Sequence, residues 1–185
     1  MFVEPGDEIA YTVTFLEMDD PPDSSLLTVE PPKNTIILKA KSPPIWYFLA
    51  LYRAVGSNYE WTDQLNCPEK ELVEFICHKK VDLFTLIRAG WPAGFFVLDN
   101  RTKSVCDIAY FGLVPEVIGL GIGNFFLSQA IKIAWYSPNL DKITVNTNTL
   151  DHPRALPLYK KFGFKVVSTV NESRILTRRR FLKKN

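Results

Sequence analysis

Apolar and polar residues alternate over residues 9–16, with Ile9, Tyr11, Val13 and Phe15 on one side, and this period of two predicts a β-strand. A polar, proline-rich stretch follows over residues 19–33, where Asp20-Pro21-Pro22-Asp23-Ser24 predicts turns. Residues 35–40 predict a second strand. In residues 45–55 the spacing lengthens, and Trp46, Phe48, Leu49, Tyr52 and Arg53 predict a helix with a strong apolar face. Residues 66–78 predict another helix, with Pro68 in its first turn and Glu69 and Glu71 near the positive end of its dipole. Its apolar side is Leu72, Val73, Phe75, Ile76 and Cys77.

From Val81 the pattern returns to strands. Residues 81–88 and 93–98 predict a hairpin around Gly90-Trp91-Pro92, and the turn at 99–103 leads into a third run, 104–114, giving an antiparallel meander. A helix is expected from Gly121 to about residue 136, then a strand over 142–147 and a helix over 153–162 ended by Gly163 in the C′ position. Pro157 predicts a kink in that last helix. Strands over 164–170 and 174–182 complete the order. Three strands, a helix, a strand, a helix and a strand, with earlier helices on a flank, predict an α+β (mixed α/β) architecture. No repeat or linker divides residues 1–185, so a single domain is expected.

Composition narrows the chemistry. A net charge of +2 gives no reason to expect nucleic-acid or membrane binding. Cys67, Cys77 and Cys106 are odd in number and lack C-x-x-C spacing, and His78 and His152 are the only histidines, so neither a metal site nor a disulfide framework is expected. Residues 1–8 are acidic and have no apolar core of a signal peptide, and no apolar run approaches the ~20 residues of a membrane span. The expected compartment is the cytoplasm.

Tyr110-Phe111-Gly112-Leu113-Val114 ends a strand, Pro115 stops it, and the chain turns into Gly119-Leu120-Gly121-Ile122-Gly123 as a helix begins. Backbone N–H groups stripped of neighbouring side chains converge at such a turn. With the positive end of the helix dipole they suit a pyrophosphate. Asn124-Phe125 after Gly123 excludes a P-loop, and the G-x-G-x-x-G dinucleotide register is not met.

Residues 107–116, the glycine loop, and the later Arg154-Ala155-Leu156-Pro157-Leu158-Tyr159-Lys160-Lys161-Phe162-Gly163-Phe164 together resemble the GNAT superfamily of N-acetyltransferases. The resemblance spans about half the chain, residues 81–170. It departs at Ile118, where the superfamily usually has Gln or Arg, and at His152, where it often has Asn. It implies a GNAT-like acyl-CoA N-acyltransferase fold: a central, mostly antiparallel twisted sheet flanked by helices, splayed where residues 104–114 and 142–147 diverge. It further implies acetyl-CoA as co-substrate, held by backbone groups of Leu113 and Val114 and by Gly119, Leu120, Gly121, Ile122, Gly123 and Asn124.

The implied reaction is direct attack of a primary amine on the thioester. Tyr159 then helps the thiolate leave, and Asp107 or His152 is a candidate base. Asp107 also reads as a solvated strand-start residue, and His152, like Asp151, as a helix cap. By period two Asp107 shares a face with Ala109, Phe111 and Leu113. Cys106 reads as a small buried residue. The aromatics Trp46, Tyr47, Tyr52, Tyr59 and Trp61 are candidates for acceptor recognition, with Trp46 and Tyr52 better read as core; Arg178-Arg179-Arg180 with Lys183-Lys184 reads as a solvated run. A small-molecule or peptide amine is the expected partner, and a homodimer stays open. A non-catalytic acyl-CoA-binding domain and transfer of a longer acyl group are the alternatives.

Overall fold

In the computed structural model, which describes residues 2–181, the alternating segments build one seven-stranded sheet. The elements in chain order are β1 (Phe2–Val3), β2 (Glu8–Met18), α1 (Ser24–Leu27), β3 (Thr35–Lys39), α2 (Ile45–Gly56), α3 (Glu69–Ile76), β4 (Val81–Arg88), β5 (Trp91–Asp99), β6 (Val105–Leu113), α4 (Ile122–Trp135), β7 (Lys142–Asn148), α5 (Ala155–Lys161), β8 (Lys165–Ile175) and β9 (Arg180–Phe181). The sheet order is β3-β4-β5-β6-β7-β2-β8, with β1 and β9 pairing separately. Every neighbouring pair is antiparallel except β6 and β7. The architecture is therefore mixed α/β.

Several local expectations change. The hairpin turn is Ala89-Gly90, both at positive φ, so Arg88 pairs with Trp91 and Pro92 lies inside β5. The proline-rich connection carries α1, capped by the Asp23 carboxylate accepting from the Ser25 N–H. Pro68 is the N-cap of α3 rather than a first-turn residue, and a 3-10 turn, Asp63–Leu65, precedes it. Pro157 does not interrupt a long helix, because α5 begins at Ala155. The proline falls in the first turn, where its missing N–H has no intrahelical acceptor to lose. Gly163 ends α5 at φ +97, with its N–H on the Lys160 carbonyl and the Phe164 N–H on the Tyr159 carbonyl, a Schellman motif. The last strand splits into the end of β8 and β9; Leu182, Lys183 and Lys184 lie outside the described residues.

The least expected feature is β2. It inserts between β7 and β8 and joins the start of the chain to its end, with Thr14 opposite both Thr147 and Thr169. Helices cover the sheet from both sides. Phe48 of α2 packs on Phe95 and Tyr110, and Phe126 of α4 packs on Phe96 and Phe111. Tyr52 is core as expected, but Trp46 is 69% exposed on the first turn of α2.

Candidate active site

β6 and β7 pair only from Val105–Lys142 to Asp107–Thr144, and the ladder ends there although both strands run on. The gap opens a cleft of about 370 Å³ that passes between the sheet's two faces. On one side stand the glycine loop, Leu158 and Tyr159; on the other stand Tyr52, Val55 and Trp61.

A β-bulge in β6 helps open it. Val97 pairs with Tyr110 but Leu98 pairs with Ile108, so Ala109 is an extra residue. The alternation reverses there. Tyr110 faces Phe48, Tyr52 and Trp61 on the α2 side, while Phe111 faces Phe126 and Tyr159. Asp107, opposite Asp99, therefore does not share a face with Phe111 and Leu113, contrary to the period-two expectation. Its Oδ1 accepts from Thr144 Oγ1 at 2.6 Å at the closed end of the gap, and burial raises its carboxyl above the usual range despite that bond.

Backbone direction identifies the exposed edge. The Val114 N–H donates to the Ala93 carbonyl at 3.0 Å, so Val114 faces β5. Alternation then turns the N–H and C=O of Leu113 and Phe111 toward the gap. The free edge at the gap is thus that of Phe111 and Leu113, whereas the Val114 N–H is already bonded to β5.

In the glycine loop a second 3-10 turn, Pro115–Val117, leads to Gly119 at φ +90 and Gly121 at φ +78. Side chains resist these angles, and a Cβ at either glycine would meet nothing within 4 Å. Gly121 caps α4 without a side-chain bond, so the first-turn N–H groups of Ile122, Gly123 and Asn124 face the cleft mouth unsatisfied by any cap. Leu120 points outward and is 58% exposed, whereas Ile118 lines the cleft. The Asn124 Oδ1 accepts from Lys161 Nζ at 2.7 Å, tying the loop to α5.

Tyr159 is 4% exposed, held edge-on by Phe111 and Phe164, and lines the cleft. Among the described residues nothing is hydrogen-bonded to its hydroxyl. Burial first, then Asp151 and Asp107, push its phenol well above 10.0. His152 also lines the cleft, but its Nδ1 accepts from the Arg154 N–H at 3.1 Å. That bond assigns the remaining hydrogen to Nε2, making His152 a donor; burial and then Arg154 keep it below 6.5, hence neutral at pH 7. Cys106 is fully buried and its thiol is pushed up to about 12, first by burial and then by Asp107.

Sequence reading missed how the segment after α2 is tied across the cleft. Trp61 lies against Gly56 and Gly112, where a Cβ would meet Trp61 Cβ and Val55 Cγ1 respectively. The Trp61 Nε1–H donates to Asp151 Oδ1 at 3.0 Å, and Asp151 Oδ2 accepts from Thr147 Oγ1 and the Asn148 N–H at 2.8 and 2.9 Å. Arg174 of β8 donates to Thr62 Oγ1 and Asp63 Oδ1. Glu60, fully buried at φ +60, accepts from Thr177 and from Arg178 Nε. Burial raises its carboxyl, but those bonds outweigh it and hold the group below 4.5. Arg178 is thus tied to the buried Glu60, whereas Arg179 is solvated as expected and pairs at the surface with Glu4. Only the folded crossing of strands brings these partners together; the aromatic density around Trp61 was the available signal.

Among the described residues no cluster of three His, Cys, Asp or Glu side chains is arranged to hold a metal ion, and no helix is long and apolar enough to cross a membrane. No protein-family model matches the chain, and no curated protein matches it. Solved structures do. A GCN5-related N-acetyltransferase from Kribbella flavida is similar at 14% identity, over 88% of this chain and 56% of that one, with a TM-score of 0.58. A tandem GNAT protein from the clavulanic acid biosynthesis pathway is similar at 12% identity, over 93% and 55%, with a TM-score of 0.61. An IAA acetyltransferase from Bacillus cereus is similar at 19% identity, over 72% and 79%, with a TM-score of 0.53. The chain spans little more than half the length of the first two. Identities this low establish the fold alone, and that fold is the one of the GCN5-related N-acetyltransferases.

Proposed function

We propose that the protein transfers an acetyl group from acetyl-CoA to a primary amine by direct attack in a ternary complex. The observation that carries this reading is the through-sheet gap between β6 and β7, with helix-terminus N–H groups at its mouth and the unpartnered Tyr159 hydroxyl inside. A pantetheine arm fits such a gap as an extra strand on the Phe111 and Leu113 backbone. The pyrophosphate is held by the amides from Gly119 to Asn124, without the polar side chain that Ile118 replaces.

The amine nitrogen attacks the thioester carbonyl carbon. The acceptor's ammonium first gives one proton to solvent to free its lone pair; a C–N bond then forms, the C–S bond breaks, coenzyme A leaves as thiolate, and a second proton passes from the nitrogen to solvent. Orientation and N–H groups aimed at the developing oxyanion supply most of the rate. Tyr159 donates a hydrogen bond to the leaving sulfur. Its raised phenol makes complete proton transfer to a thiolate unfavourable, so the group stabilises charge and keeps its proton. Asp107 lies outside the cleft and His152 presents a donor, so neither serves as base in this arrangement.

Amine-dependent release of free thiol from acetyl-CoA, followed across a panel of amines, tests the proposal. Release with at least one amine is expected. Coenzyme A binding without release from any amine would favour the non-catalytic reading, to which the apolar Ile118 at the mouth lends support.

A further inference from the structure

We propose that Asp151 is the docking carboxylate for the acceptor, which enters as a primary ammonium group on an apolar or aromatic stem; this rests on the acetyl-transfer reading above. Asp151 lines the cleft at the end of β7, and three donors hold it rigid: the Trp61 indole, the Thr147 hydroxyl and the Asn148 amide. A carboxylate offers about four lone-pair positions, so one acceptor position is left. The other cleft acids are already neutralised by cations, Glu60 by Arg178 and Asp63 by Arg174. No ion pair joins Asp151 to a cation among the described residues.

The charges facing it are few. His152 is neutral at pH 7, and Arg154 is exposed, where solvent and salt screen it. A half-buried negative charge at a cleft wall therefore awaits a cation. The surroundings select its stem: the Trp61 ring lies beside Asp151, with the Tyr52 and Tyr110 rings 5.3 and 5.9 Å from it. Such faces attract both an ammonium and an apolar chain.

The test is calorimetric titration of the coenzyme A complex with 2-phenylethylamine, 2-phenylethanol and 3-phenylpropanoate, molecules of similar shape and different charge. The amine should bind at least ~10-fold tighter than the other two. Asp151→Asn alone would set an amide N–H against one of three donors. It is therefore combined with Trp61→Phe, which lets the Asn oxygen keep Thr147 and Asn148. The double variant should lose ~10-fold or more in amine affinity with coenzyme A affinity unchanged. Trp61→Phe by itself loses the indole but keeps the carboxylate, and its amine affinity is the reference against which the ~10-fold loss of the double variant is read. Equal binding of the alcohol or the acid, undiminished amine affinity in the double variant, or no amine binding by the wild-type complex would overturn the proposal. Failure of coenzyme A to bind would count against acetyl transfer instead, and the same titration on the free protein then tests Asp151 by itself.

Discussion

Replacing Tyr159 by Phe should lower turnover while leaving stability nearly unchanged. The hydroxyl is held inside a side chain only 4% exposed, and nothing among the described residues bonds it. Removing it costs the fold no hydrogen bond, and because the hydroxyl opens onto the cleft the change in stability should stay within about 0.5 kcal/mol either way. For a chain of this size 1 kcal/mol corresponds to about 2–4 °C in Tm. The ring contacts to Phe111 and Phe164 survive in the variant. In the reaction the same hydroxyl faces a developing thiolate, and a hydrogen bond to a charged group contributes about 1.5–3 kcal/mol, so kcat should fall roughly 10- to 150-fold. Thermal unfolding and steady-state kinetics at saturating acetyl-CoA read the two effects separately. A Tm lowered by several degrees would mean that the hydroxyl has a structural partner. An unchanged kcat with unchanged Tm would remove Tyr159 from the chemistry.

Three further outcomes are expected. Asp107→Asn keeps the Thr144 bond and removes a buried charge, so turnover should stay within about 3-fold of wild type; a ~100-fold loss would restore Asp107 as a base. Because burial raises the Asp107 carboxyl above 3.8, its contribution favours the folded state at low pH and is lost as pH rises through its folded value, and thermal melts against pH should show that term absent in the Asn variant. Glu60→Ala should destabilise by about 1–3 kcal/mol by unpairing Arg178 and Thr177, a value discounted because Arg178 is partly exposed. The Glu60 carboxyl sits below 4.5, so its stabilisation is present above that pH and lost on acidification through its lower folded value; wild-type melts should converge on those of the variant only in acid. Gly121→Ala forces a side chain to φ +78 at about 1–2 kcal/mol and puts a Cβ into open space at the cleft mouth, so acetyl-CoA affinity should fall ~10-fold or more by calorimetry.

The meander, the glycine loop and the helix carrying Tyr159 were legible in the sequence because each is written locally, in alternation, in turn residues and in caps such as Gly163. What was not legible depends on contacts distant in sequence. The alternation of β2 states which side chains point inward, but not that Thr14 will sit between Thr147 and Thr169. The bulge at Ala109 leaves no compositional trace, yet it moves Asp107 off the face of Phe111. Asp151 reads as a cap before a helix, and becomes a cleft carboxylate only because Trp61 is folded across Gly112 to reach it.

The most direct test of the central claim, that the gap and its glycine loop bind an acyl-CoA, is the thermal shift of the protein with acetyl-CoA. At a ligand concentration 100 times Kd the fold should gain about 2.7 kcal/mol, or roughly 5–11 °C in Tm, and Gly121→Ala should need a higher concentration for the same shift. No shift at millimolar acetyl-CoA would contradict the account.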